Sequence, residues 1–247
     1  MIPSLDHRRV YWWGEKSNLS IMDLDTLKVS DYPISSSSPS SKLITYDILV
    51  INQKVVFVME EAGVYGMVYL YDLLSQSIVG NWTYTNDDCK QSCSESNILV
   101  EEYGTIVRAT SANEKANIVA FGGCASEVGA MKVKPFISIH RFDKKGKFPV
   151  LSTTLFDDMV GAVSILEFLH LAKKPTLLAC DENSLFVFEF GNNRLELLQK
   201  VDNMHSGPIN TLSYHRLDIF TVSDDKTTAK STLGADLIKV PTAPPAF

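Results

Sequence analysis

The chain has 247 residues, of which 45% are hydrophobic and 21% are charged, a composition typical of one large or two small folded domains. Its 23 Lys and Arg against 29 Asp and Glu leave a formal net charge of −6. That balance argues against general binding to nucleic acid or to an anionic membrane surface, because no surplus of cations is available to neutralise phosphates. No apolar run approaches the ~18 residues of a membrane span, and the N-terminus lacks the apolar core of a secretion signal. We therefore expect a cytoplasmic or nuclear protein that is neither secreted nor inserted in a membrane.

Short runs of β-branched and aromatic residues, separated by polar turns, recur along the chain and predict strands. These runs are 55–59, 67–71, 117–121, 135–139, 176–180, 185–190 and 218–222. In 185–190 (LFVFEF) the alternation places the three Phe residues on one face of the strand and Leu185, Val187 and Glu189 on the other. The best helix candidate, 159–174, fits a long strand equally well, and the lack of helices between strands argues against βαβ units.

The strands repeat as five copies of one unit, most of which end in a large apolar or aromatic residue followed by an acid. The paired ends are Met22-Asp23, Tyr71-Asp72, Phe142-Asp143, Phe188-Glu189 and Ser231-Thr232. Their spacing is roughly 45 residues, except where the loop-like stretches 35–42, 86–97 and 122–134 lengthen it. Repeats of about 40–45 residues are typical of β-propellers, in which each repeat forms one four-stranded blade.

The last copy, HSGPINTLSYHRLDIFTVSDDKTTAKST at 205–232, resembles the WD-repeat family. The resemblance implies that His205, Ser223 and Asp225 form a buried chain of hydrogen bonds, which in the family continues to a tryptophan ring nitrogen. Here Ser231-Thr232 occupies the Trp-Asp position, so the indole is missing. The other copies keep mainly the pair of residues at the end of the third strand.

We therefore predict an all-β fold, a single β-propeller domain of about five four-stranded blades. The approximate blade boundaries are 8–34, 42–85, 97–156, 160–201 and 205–240. The first blade lacks its innermost strand, because only seven residues precede Arg8.

Three arrangements of this short first blade stay open. The tail 241–247 closes a five-bladed ring, the ring stays open and a partner's strands fill the gap, or the chain is part of a longer propeller. Pro241, Pro244 and Pro245 make the tail a poor strand. Since unpaired strand edges favour pairing with a partner, the pattern slightly favours the open ring.

Two sets of residues are candidates for an interaction surface. Paired acids fall in the turn between the second and third strands of three copies: Glu60-Glu61, Asp181-Glu182 and Asp224-Asp225. They form either an acidic rim that binds a cation or a basic peptide, or turns in which the acids bond their own backbone. Tyr11-Trp12-Trp13 is either an interface anchor or core of the first blade.

The sequence contains none of the common nucleophile, phosphate-binding or metalloprotease motifs, so we predict no catalytic residue, no cofactor and no metal site. Cys89 and Cys93 have no nearby pair of ligands to complete a zinc site. Cys124 and Cys180 lie in apolar runs and are expected to be inert buried thiols, and His140 and His170 to be structural.

A propeller without catalytic signature is most often an interaction platform, an argument from fold analogy. The resulting prediction is a non-enzymatic scaffold or adaptor subunit that binds other proteins of a larger intracellular assembly. Propellers of nuclear pores and vesicle coats belong to similar families, and some accept strands from a partner. Two alternatives stay open: a ligand- or cation-binding propeller, including a hydrolytic one, that uses the acidic rim, and a substrate receptor that reads peptides.

Overall fold

A computed structural model describes residues 2–3, 8–13, 18–34, 43–51, 54–61, 64–83, 106–126, 133–142, 148–170 and 172–234. These residues form nineteen strands in five antiparallel sheets. Several predictions fall outside them: those on the Cys89 and Cys93 pair, on the stretches 35–42 and 86–97, and on the tail 241–247.

Within each sheet, consecutive strands are hydrogen-bonded neighbours. The first sheet contains β1 (Ile2–Pro3), β2 (Arg9–Trp13), β3 (Asn18–Asp23) and β4 (Val29–Pro33). The second contains β5 (Leu43–Ile51), β6 (Lys54–Glu61), β7 (Val64–Asp72) and β8 (Ser77–Thr83). The third contains β9 (Ile106–Asn113), β10 (Ile118–Ser126), β11 (Val133–Arg141) and β12 (Val150–Leu155). The fourth contains β13 (Ile165–Phe168), β14 (Thr176–Cys180), β15 (Leu185–Gly191) and β16 (Arg194–Val201), and the fifth β17 (Ile209–His215), β18 (Asp218–Ser223) and β19 (Thr228–Thr232).

The five sheets are the blades of a β-propeller, which confirms the predicted fold class. The first strand of each sheet contacts the first strand of the next: β1 contacts β5, β5 contacts β9, β9 contacts β13, and β13 contacts β17. These strands therefore surround the axis, and the later strands of each sheet lie progressively further out. Residues 159–174, which fit a helix or a strand, contain the short strand β13.

The two end sheets are the irregular ones. The first sheet has three strands of ordinary length, β2 to β4, as predicted. At its inner edge the two-residue strand β1 pairs Ile2 with Tyr11 and Pro3 with Val10. The fifth sheet has three strands among the described residues, and its predicted outermost strand lies beyond residue 234.

Four apolar clusters fill the spaces between successive sheets. They are centred on Leu19 and Phe57 for the first pair of sheets, Val58 and Phe121 for the second, Phe168 and Phe186 for the third, and Leu178 and Ile219 for the fourth. Among the described residues, no corresponding cluster joins the fifth sheet to the first. Each inner sheet is therefore buried on both faces, whereas the described residues show apolar packing on one face of the fifth sheet.

The alternation predicted for 185–190 is present. Phe186, Phe188 and Phe190 pack toward the third sheet, while Leu185 and Val187 pack toward the fifth. Because side chains of a strand alternate between faces, this single strand supplies two interfaces.

One predicted loop is partly wrong. The stretch 122–134 was expected to be an insertion, but β10 continues to Ser126 and β11 begins at Val133. Glycine makes this possible, because a Cβ on Gly122 would lie only 2.7 Å from Cγ1 of Val163, which precedes β13 of the next sheet. The Gly-Gly pair that resembles a loop signal therefore marks a close approach of two sheets within a bulged strand.

Candidate functional site

The outward face of the fifth sheet exposes apolar side chains. In β18, Ile219, Thr221 and Ser223 are buried against the fourth sheet, while Phe220 and Val222 point the other way and are 38% and 42% exposed. The ammonium group of Lys230 lies 5.8 Å from the centroid of the Phe220 ring. The face therefore presents two apolar side chains bordered by a cation, where the inner sheets present packed core.

The first sheet also has an outward face. The three residues of the predicted aromatic anchor, Tyr11-Trp12-Trp13 on β2, lie on both faces of this sheet. Tyr11 is buried and Trp13 packs edge-on against Phe57 of the second sheet, with ring centroids 5.2 Å apart. Trp12 pairs across the sheet with Ser20, on the opposite face, where it is half-buried. Of the three candidates, only Trp12 therefore lies on the face turned away from the second sheet.

A buried polar network anchors the fifth sheet to the turn that precedes it. The side chain of His205 is fully buried, its Nδ1 lies 3.2 Å from Oδ2 of Asp225, and its Nε2 lies 2.8 Å from Oγ1 of Thr221. Because a carboxylate only accepts, the hydrogen bond to Asp225 requires a proton on Nδ1, and Nε2 lies within hydrogen-bonding distance of the Thr221 hydroxyl. The Thr227 hydroxyl and the N–H groups of Ser206 and Thr227 hold the pKa of Asp225 well below its usual range.

The structure changes one member of this predicted network. His205 and Asp225 are brought together. The hydroxyls that bond the His205 ring belong to Thr221, at Nε2, and to Thr227, 2.9 Å from Nδ1, and not to Ser223. Ser223 instead donates to the carbonyl of Gly207 at 2.9 Å and accepts from the N–H of Asp225 at 3.2 Å. Both residues lie on the buried face of β18, and Ser223 is the one at the strand end, where turn groups need partners. The Thr221 hydroxyl also lies 3.4 Å from the sulfur of Met204.

Most described members of the predicted acidic rim are engaged by their own surroundings. Asp181 accepts hydrogen bonds from the N–H groups of Asn183 and Ser184, and from Val160. Asp224 accepts from the side-chain amide of Asn210. Asp181 and Asp225 thus accept from N–H groups of their own turns, as in the turn-stabilising alternative, whereas the contact of Asp224 is with a side chain of β17. Glu182 is exposed, and the side chains of Glu60 and Glu61 lie outside the described residues.

Sequence reasoning missed a pair of carboxyl groups beside the axis. Asp47 lies on β5, where its carboxylate accepts from the N–H of Thr110 on β9 at 2.7 Å and from the N–H of Ile48. Burial nevertheless raises the pKa of Asp47 to about 6. Burial, reinforced by the charge of Asp47, raises the pKa of Glu167 on β13 to about 7. Each residue stands singly in its own strand, so only the fold brings them within electrostatic reach of each other.

The described residues offer little for metal or thiol chemistry. No three of their His, Cys, Asp and Glu side chains are grouped so as to hold a metal ion. Cys124 and Cys180 are buried and unbridged, and burial raises the pKa of the Cys180 thiol to about 12, so this thiol stays protonated. His140 is buried and bonded to Ser138 and to the carbonyl of Phe148, while His170 is exposed. In the described part of the chain, no helix has the length and apolarity needed to cross a membrane.

Comparison with known proteins identifies the fold alone. No protein-family model matches the chain, and no curated protein matches it. Among solved structures, it is similar to the computationally designed Ika4 protein, at 14% identity and a TM-score of 0.51, over 81% of this chain and 97% of that one. It is also similar to the structure of U3-55K, at 9% identity and a TM-score of 0.60, over 94% of this chain. The match covers only 60% of the U3-55K chain.

Proposed function

We propose that this chain is a non-enzymatic scaffold or adaptor of the WD-repeat type, a subunit that binds other proteins within a larger intracellular assembly. The observation that carries the proposal is the exposed outward face of the fifth sheet, with Phe220 and Val222 at its centre. In a propeller, such a face is ordinarily covered by the next blade. Here strands supplied by a partner and packed against this face, in the place of a next blade, would bury it.

The energetics favour a partner at this position. Leaving apolar side chains in water forgoes roughly 25 cal/mol for each Å² that burial would remove. An apolar surface that its own chain leaves exposed is also a typical site of contact with another protein.

The proposal is tested by a charge-insertion variant of the whole chain. Phe220→Glu combined with Val222→Glu would place two carboxylates on the proposed interface without touching the inner core. The matched control is Leu74→Glu combined with Val79→Glu, which changes two exposed apolar residues of the second sheet. Tagged wild-type and variant chains are expressed in the source cells, and the mass of the native complexes and their protein content are compared.

We expect the wild type and the control to migrate in the same large complex and the Phe220/Val222 variant to leave it. If the wild-type chain is a stable monomer with a sharp melting transition, and the variant keeps the same associated proteins, the scaffold surface proposed here is wrong. Melting curves of all three chains show whether any loss of binding comes from unfolding.

A further inference from the structure

A second surface, distinct from the end sheets, lies between the third and fourth sheets. Two adjoining cavities of about 450 and 330 Å³ open there, and they share Ala116 and Pro175. They lie at the ends of the sheets where the β9–β10, β13–β14 and β15–β16 connections come together. We call this surface the basic groove; the side chains that define it are Lys115, Arg141, Lys173 and Lys174.

The charge of the groove is opposite to that of the chain as a whole. The residues that line the two cavities include those four cations and His170, but neither an Asp nor a Glu. Lys174 is neutralised by Glu189, with 2.5 Å between Nζ and Oε1. Among the described residues, the ammonium group of Lys115 contacts a backbone carbonyl, that of His170, at 3.4 Å.

Two of the cations have no anionic partner. Within the described ranges, Arg141 and Lys173 form no ion pair, although the chain carries a net charge of −6. Glu114 is next to Lys115 in the hairpin, but it does not line either cavity. Unpaired cations concentrated around one concave surface attract and orient an anionic partner, and the rest of the acidic surface repels that partner from wrong positions.

The floor of the groove is apolar. Ile118 and Phe190 are nearly buried there, and Leu151 and Pro175 complete the surface between them. Asn192 and Asn193 border the same cavity on an exposed turn, where their amides can bond a peptide backbone. A small anion would use the cations and leave this floor uncovered, whereas an extended segment with both acidic and apolar side chains would use both.

From this combination we infer that the basic groove binds an acidic segment of a partner protein, with carboxylates on Arg141 and Lys173 and an apolar side chain over Ile118 and Phe190. The groove is separate from the outward face of the fifth sheet, so the inference does not depend on the function proposed above. It assigns a specific surface to the peptide-reading alternative that the sequence leaves open. Nucleic acid is disfavoured, because only a few cations line the groove and the surrounding chain is acidic.

The test measures binding of a fluorescein-labelled peptide of alternating Glu and Leu to the full chain by fluorescence anisotropy. A peptide with Gln in place of Glu and a single-stranded oligonucleotide serve as comparison probes. Arg141→Glu combined with Lys173→Glu reverses the unpaired charges. Lys28→Glu combined with Lys226→Glu makes the same change of net charge at exposed positions outside the groove.

We expect the groove variant to weaken binding of the acidic peptide by about tenfold or more, and the control variant by about twofold or less. Binding of the wild type should weaken as salt is raised, and the Gln peptide should bind poorly. The inference is overturned if the acidic peptide does not bind, if the groove variant binds it as well as the wild type, or if the oligonucleotide binds more tightly through the same residues. Arg141→Gln combined with Lys173→Gln replaces the reversal if that variant does not fold. The Phe220/Val222 variant should bind the peptide normally, so failure of one proposal leaves the other standing.

Discussion

The fourth and fifth sheets are neighbours built from similar short strands, but they differ in how many of their faces are covered. All five residues of β14 are buried, and β15 is buried on both faces, whereas in β18 buried and exposed residues alternate. A strand between two sheets reads as a continuous apolar run, and a strand with one free face alternates. In the described part of the chain, the fifth sheet therefore has one face in the core and one face that is partly exposed.

The largest expected effect comes from truncating one phenylalanine in each sheet. Phe186 is 1% exposed between the third and fourth sheets, and Phe220 is 38% exposed on the outward face of the fifth. Phe186→Ala should lower the free energy of unfolding by about 3–5 kcal/mol, because it removes packed contacts and leaves a cavity. Phe220→Ala should lower it by about 1 kcal/mol or less.

Urea unfolding of the isolated chain, followed by tryptophan fluorescence and circular dichroism, measures both changes. Equal losses for the two variants would mean that the outward face of the fifth sheet is already covered in the free chain. The comparison between the two sheets would then fail.

The next effect contrasts carboxyl groups at the axis with those in the turns. The pKa values of Asp47 and Glu167 are raised to about 6 and about 7 by burial, whereas hydrogen bonds lower the pKa of Asp225. A group whose pKa is raised in the folded state stabilises the fold when protonated. The contribution of Glu167 is thus complete below about pH 4.5 and is lost as the pH rises through about 7.

Glu167→Gln keeps the shape of the side chain and removes this titration. We expect the variant to be more stable than the wild type by about 2 kcal/mol at pH 8 and nearly equal to it at pH 4.5. Thermal melts of both chains across that range check the result, with Glu182→Gln as an exposed control. A difference in stability that does not change with pH would contradict the pKa assigned to Glu167.

Sequence reasoning succeeded where a single strand carries the information. The alternation in 185–190 determines which side chain faces which neighbouring sheet, so both interfaces of that strand could be predicted. Contacts that depend on two strands could not. Asp47 raises the pKa of Glu167 only because their two strands both border the axis. Gly122 lies close to Val163 only because two sheets pack together there. The bond from His205 to Thr221 was missed because Thr221 and Ser223 share the same face of β18.

Adding a methyl group at two glycines distinguishes a close interface from an open edge. Gly122→Ala would bring its Cβ to 2.7 Å from Cγ1 of Val163 and 3.0 Å from Cδ1 of Leu166, whereas a Cβ on Gly191 meets nothing within 4 Å. We expect Gly122→Ala to lower the free energy of unfolding by about 1–2 kcal/mol, because the third and fourth sheets must move apart. Gly191→Ala should change it by about 0.5 kcal/mol or less, as measured by urea unfolding. If both substitutions are neutral, the two sheets are not in close contact at Gly122.

The smallest effect compares the two faces of β18. One variant replaces a buried hydroxyl by a methyl group, and a second makes the reverse change at the adjacent, exposed position. Thr221→Val removes the buried hydroxyl that bonds Nε2 of His205, so it should lower the free energy of unfolding by about 1 kcal/mol. Val222→Thr makes the reverse change on the exposed face and should be nearly neutral, because water satisfies the new hydroxyl.

Nitrogen NMR shifts of the His205 ring provide a second measurement. Nε2 should shift strongly in Thr221→Val but little in Ser223→Ala, since Ser223 bonds Gly207 and the turn. The opposite pattern of shifts would restore Ser223 as the partner of His205.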